Sequence, residues 1–169
     1  MQQMHHTRQT VATIVDFLQS IGITVQSGEV SGDTFLPAIR ITGGVLVYDA
    51  QRLRWPGDLL HEAGHIAITP AAQRAGLTDA LDGNDLAPHA GEVEAIAWSW
   101  AALVHLGLPP ELLFHPEGYK GQSAGLMLTY SMGIHPGAVG LARAGMTSAD
   151  AASAAGGVAQ YPAMHRWMR

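Results

Sequence analysis

The stretch that most constrains this chain is WPGDLLHEAGHIAITP, residues 55–70, where His61, Glu62 and His65 stand among leucines, isoleucines and alanines. Leu59, Leu60, Ile66, Ala67 and Ile68, bounded by Pro56 and Pro70, read as a helix that is largely buried. Burying two histidines and a glutamate costs a few kcal/mol unless something satisfies them. A spacing of four sets both imidazoles on one helix face, one turn apart, where they reach a single cation. Glu62 projects elsewhere around the helix and is better placed to hold a water than to complete the same ligand set. A metal held there lowers the pKa of its water and polarises a carbonyl, while the glutamate takes the water's proton and returns it to a leaving amine. With nine His and six Glu in the chain, chance placement gives roughly 0.02 HExxH matches. Accident is a poor explanation.

The chain has no cysteine. Disulfides, thiolate nucleophiles and Cys-type zinc sites are thereby excluded, and any metal has to be held by histidine and carboxylate. A length of 169 residues, 47% hydrophobic and 14% charged, argues for one folded domain, residues 1–169, with its own core. The net charge of -5 and the scattered Lys and Arg provide no basic stripe, so direct nucleic-acid binding is not expected. The first ten residues are polar and no apolar run approaches the roughly 20 residues of a membrane span. Neither a secretory signal nor a membrane association is expected, and the expected location is cytoplasmic.

Val11, Ile14, Val15, Leu18 and Ile21 follow helical spacing over residues 8–21, and Gly22 closes that helix. His5 and His6 fall before it, in what reads as an unstructured start. ITVQS reads as a short strand, and FLPAIRITGGVLVYDA as a hairpin turning at Gly43 and Gly44. Pro37 cannot donate to a ladder, so the first hairpin strand lies at an edge or begins beyond it. The HEAGH helix follows. Residues 78–90 read as an acidic loop, and a helix is expected from about Gly91 to Leu106. Short helical pieces then follow at PELLFH, GQSAGLMLTYSM, HPGAVGLARAGM and TSADAASAAGG. The order of helix, strands and then helices argues for an α+β fold.

Catalytic zinc usually has three protein ligands. No third histidine follows at the spacing of the extended HExxHxxGxxH pattern, so a carboxylate is expected. GEVEAIAWSW offers Glu92 and Glu94 in the first turn of a helix. They lie about 200° apart, so only one can face the metal. Glu94 shares its side with Ala97 and Ala101, whose small side chains allow close approach of the HEAGH helix; Glu92 shares its side with Ile96, Ser99 and Leu103. The expected ligand set is therefore His61, His65 and Glu94, with Glu62 as general base and Glu92 as a solvated first-turn charge.

A hairpin feeding LLHEAGH, then a loop, then EVEAIAWSWAAL and a proline, resembles the ImmA/IrrE-like HExxH metallopeptidase family over residues 40–110. His61, Glu62, Gly64 and His65 match its first motif; Glu94, Ala97, Trp100 and Ala101 match its ExxAN-x-FA helix. Trp98 stands where the family often has Asn, and Pro109 falls two places late. The resemblance implies a gluzincin-like zinc peptidase core and, in some members, a DNA-binding repressor as substrate. The reading as a whole is a zinc-dependent hydrolase acting on a polypeptide, with a regulatory protein as one candidate, laid along the edge strand before Gly43. The rival readings are a metal-binding regulatory or sensor module without turnover, and a metal hydrolase for small molecules.

Tyr119, Tyr130, His115 and His135 are the downstream donors available to an oxyanion. His105 is read as a core histidine; Trp55, Trp98, Trp100 and Trp167 as packing, with Trp98 alone close enough to the site to line it; and QYPAMHRWMR as a tail docked by Trp167 and Met168.

Overall fold

The structure is a computed structural model. It describes residues 2–32, 34, 36–78, 91–149 and 160–169, with side chains from residue 7 onward. The fold is α+β: among the described residues, seven α-helices and one three-stranded mixed sheet. All but the first residue of the loop expected at 78–90, and most of the piece TSADAASAAGG, lie outside the described residues.

Helix α1 (Gln2–Ser20) starts earlier than the apolar spacing suggests and takes in His5 and His6. No glycine or proline precedes Gly22, so nothing in the backbone stops the helix there. It ends as expected: Gly22 has φ +96°, and the Ile23 N–H donates to the Leu18 carbonyl at 3.0 Å. Strands β1 (Val25–Ser27), β2 (Ile39–Thr42) and β3 (Val45–Tyr48) form the sheet in the order β1-β3-β2. β1 runs parallel to β3, whereas β2 and β3 form the antiparallel hairpin, turning through Gly43 and Gly44 at φ +58° and +76°. β2 begins beyond Pro37 and lies at an edge of the sheet.

Alternation along the strands aims Val25, Ile39, Ile41 and Leu46 at the core. Helix α2 (Gly57–Ile68) packs against α1, the strands β2 and β3, α4 (Glu92–His105) and α5 (Pro110–Leu113). All but two of its residues are buried, which explains its near-continuous apolar sequence. Its last carbonyls are well supplied with donors. Thr69 Oγ1 donates to the His65 carbonyl at 2.7 Å, Arg74 Nε to those of Thr69 and Ile66 at 3.0 and 3.3 Å, and the Arg169 N–H to that of Ala67 at 2.9 Å. Arg74 comes from α3 (Ala71–Arg74), a single turn after Pro70 that the sequence reading did not separate from the loop.

A 3-10 turn at Tyr119–Gly121 and the helices α6 (Ser123–Ser131) and α7 (Ala138–Arg143) complete the described elements. The tail docks as expected. Trp98 Nε1 donates to the Trp167 carbonyl at 2.9 Å, and the Trp167 ring stands edge-on to Phe17 and Trp98. One reading holds here and one changes. Trp98 packs as expected, fully buried in this aromatic cluster. His105 is exposed, lying against Phe17 and Trp167 at the far end of α4. Among the described residues no helix is long and apolar enough to cross a membrane.

Candidate metal centre

Glycine and serine decide where α2 meets α4. A Cβ on Gly64 would lie 2.7 Å from the Ala95 carbonyl oxygen and 3.0 Å from Ser99 Oγ, so only glycine allows this approach. Ser99 Oγ is fully buried, 3.0 Å from the Leu60 carbonyl oxygen and 2.7 Å from that of Ala95. The line of contact on α4 thus runs through Ser99 and Ala95, and one turn further towards the helix start it reaches Glu92.

His61, His65 and Glu92 come together at that point. The two Nε2 atoms are 3.3 Å apart, Glu92 Oε1 is 3.4 Å from His61 Nε2, and Glu92 Oε2 is 3.2 Å from His65 Nε2. Two ligand atoms about 2.0–2.1 Å from one tetrahedral ion lie about 3.3 Å apart. The donor set therefore fits a metal in spacing as well as in chemistry. Two imidazole nitrogens turned towards each other and a shared carboxylate also suit a cation better than they suit each other. Burial, and secondarily the neighbouring His65, depress the His61 pKa from 6.5 to about 4. Its imidazole is thus neutral, the ligating form, at neutral pH.

The structure does not bring Glu94, the expected third ligand, to the two histidines; Glu92 stands there instead. Small residues do admit the HEAGH helix, but on the other flank of α4. Ala97 and Glu94 face α7: a Cβ on Gly137 would lie 3.0 Å from Ala97 Cβ, and one on Gly140 would lie 2.3 Å from Glu94 Oε1. Glu94 is thus packed over α7, and its charge helps to push the Tyr130 hydroxyl pKa upward, behind the larger effect of burial. Ala95 and Ser99, not Ala97 and Ala101, admit the HEAGH helix.

Glu62 is where the motif requires it, on α2 beside His61 and only 5% exposed. Of the four downstream donors, two reach the neighbourhood. The Tyr119 hydroxyl lies 3.3 Å from His61 Nδ1, on the side of the ring away from the metal position. His115 Nε2 is 2.8 Å from Asp58 Oδ1, and its ring stacks on Trp55 with centroids 4.5 Å apart. Tyr130 and His135 do not reach it. Tyr130 is buried among Trp100 and Phe114 with its hydroxyl donating to the Pro136 carbonyl, and His135 packs between Tyr130 and Tyr161.

Near the site, the sequence reading assigned Asp58 no role and Trp55 only one of packing. Asp58 stands three residues before His61 on the same helix face, a spacing that would have flagged it. Burial raises its pKa against the opposing pull of His115. Trp55 had no such signal, because its role depends on where residues 115–117 return: its Nε1 donates to Glu117 Oε2 at 3.1 Å, and Arg54 pairs with the same carboxylate.

No protein-family model matches the chain, and neither the curated proteins nor the solved structures contain a match to it.

Proposed function

We propose that this protein is a zinc-dependent hydrolase of the HExxH type that cleaves peptide bonds, with His61, His65 and Glu92 as ligands and Glu62 as general base. The observation that carries the reading is the convergence of His61, His65 and Glu92, with Glu62 buried beside them on the same helix. A zinc ion bound there would supply Lewis acidity, polarising a carbonyl and making a water more acidic. Glu62 then accepts the water's proton and delivers it to the departing amine, a transfer that its low exposure favours by excluding competing solvent. A site that merely held metal for structure would have no use for Glu62 and would close with a fourth protein ligand. The resemblance to the ImmA/IrrE-like peptidases supports the roles of His61, Glu62 and His65; the glutamate of its ExxA motif falls on Glu94, so it lends nothing to Glu92. An extended polypeptide would lie along β2, an edge strand with no fourth strand beside it among the described residues.

The test is Glu62→Gln. Zinc should still bind at about one ion per chain with the fold unchanged by circular dichroism. Hydrolysis of a responsive peptide should fall by about 10²-fold or more, because an amide cannot take the proton. Undiminished turnover would remove Glu62 from the mechanism, and a folded wild type that binds no zinc would remove the assignment altogether.

A further inference from the structure

Tyr119 reaches His61 from a loop that adopts unfavourable backbone geometry. Tyr119 and Lys120 have φ of +51° and +53°, left-handed values that cost non-glycine residues about 1 kcal/mol or more each. Such a conformation persists only where its surroundings enforce it, and here they are specific. His115 is buried and pinned to Asp58 in the first turn of α2, with Trp55 stacked on its ring. Gly118 also lies against that ring, where a Cβ would come within 3.2 Å of Cε1 and Nε2. The Gly118 N–H donates to the His115 carbonyl at 3.0 Å, and Ser123 Oγ donates to the Gly118 carbonyl at 3.1 Å. The loop is thereby clamped on both sides of the strained pair, and what it delivers is a phenol edge-on to His61, ring centroids 5.4 Å apart, with its oxygen 3.3 Å from Nδ1.

We propose that Tyr119 is a positioning residue for the metal centre: its oxygen accepts a hydrogen bond from His61 Nδ1–H, which fixes the ring orientation and the tautomer that leaves Nε2 free to ligate. This rests on the metal reading above. Burial, and then the carboxylates of Asp58, Glu92 and Glu62, push the Tyr119 pKa far upward, so the hydroxyl stays neutral. A histidine ligand whose second nitrogen is held in this way binds its metal more tightly, and loss of such a partner typically costs 10–100-fold in affinity.

The experiment compares the wild type with Tyr119→Phe. Tyr130→Phe is the control, since it also loses a buried hydroxyl bond, but one donated to the Pro136 carbonyl away from the site. Zinc affinity is read by competition with a chromophoric chelator. The His61 tautomer is read in the metal-free protein from ring ¹⁵N–¹H spectra, its signals assigned by their loss in His61→Gln. Tyr119→Phe should bind zinc about tenfold more weakly or worse, and its His61 ring should move from the Nδ1–H towards the Nε2–H form, while Tyr130→Phe changes neither. Unchanged affinity in Tyr119→Phe, or weaker affinity with an unchanged tautomer, overturns the proposal. If the wild type binds no zinc, the metal reading fails and the spectra alone decide: an Nδ1–H form that Tyr119→Phe loses sustains the role of Tyr119, and the same form in both proteins overturns it.

Discussion

The two flanks of α4 solve the same packing problem with opposite results. On one, Gly64 of α2 sits against Ala95 and Ser99; on the other, Gly137 and Gly140, beside and within α7, sit against Val93, Ala97 and Glu94. Each flank brings backbones close by means of glycine, and each begins with a glutamate in the first turn of α4. Yet Glu92 opens onto two histidine nitrogens, whereas Glu94 is folded over a glycine and belongs to no ligating cluster of three among the described residues. The difference lies in the partner helix: α2 carries polar side chains in its buried interior, and α7 (AVGLAR) offers none there. Close packing by itself therefore does not mark a site; it marks one when the approaching helix brings groups that need a common counter-charge.

The comparison breaks most visibly at the two glutamates. Glu92→Ala would remove a proposed ligand and should weaken zinc binding by a hundredfold or more, about 3 kcal/mol. Glu94→Ala should leave it within about threefold, because the lost carboxylate belongs to the α7 contact. Zinc titration of both variants decides it. A large loss in Glu94→Ala with little in Glu92→Ala would restore the ligand set expected from the sequence and discard the geometry described above.

Acid provides the second contrast, in the metal-free protein. His61 has a folded pKa of about 4 against 6.5 in an unfolded chain. Between those values the unfolded state binds a proton that the folded state refuses, so stability is full above about pH 6.5 and falls as pH drops through 4. The span corresponds to roughly 3 kcal/mol. His135, near the α7 flank, also has a lowered pKa from burial but a much more open environment. Urea unfolding at a series of pH values should show the loss, with His61→Gln flattening the curve between pH 6.5 and 4 and His135→Gln changing it little. A His61→Gln curve as steep as that of the wild type would place the acid sensitivity elsewhere.

These contrasts show which parts of the molecule local sequence could report. The hairpin, the Gly22 helix stop, α2, α4 and the position of β2 at an edge follow from glycine, proline and apolar period, all properties of a few adjacent residues. His61, Glu62 and His65 were legible because a single helix turn carries them. The third member was not, since it depends on which flank of α4 receives α2, and the small pair Ala95 and Ser99 that receives it is interleaved with the bulkier Ile96 and Leu103. Tyr119 could be named as a candidate, but its left-handed backbone and its approach to His61 arise from contacts between residues more than 50 positions apart, such as Asp58 with His115.

The smallest expected effect concerns the glycines themselves. A Cβ at Gly64 would press on the Ala95 carbonyl oxygen at 2.7 Å, a backbone atom held within a buried helix. At Gly140 the nearest atoms belong to the Glu94 side chain, which can rotate away. Alanine in place of helical glycine gains up to about 1 kcal/mol of helix propensity, and overpacking a tight contact costs about 1–3 kcal/mol. Gly64→Ala should therefore lose about 1–2 kcal/mol in chemical denaturation, and Gly140→Ala should be close to neutral or slightly stabilised. The two variants should also part in zinc affinity. Forcing α2 and α4 apart draws Glu92 away from both histidines, whereas displacing Glu94 leaves all three groups in place. Gly64→Ala with unchanged stability and unchanged zinc binding would mean that the Gly64 contact does not set the spacing of the ligands, and that the two flanks of α4 differ only in the side chains their partners carry.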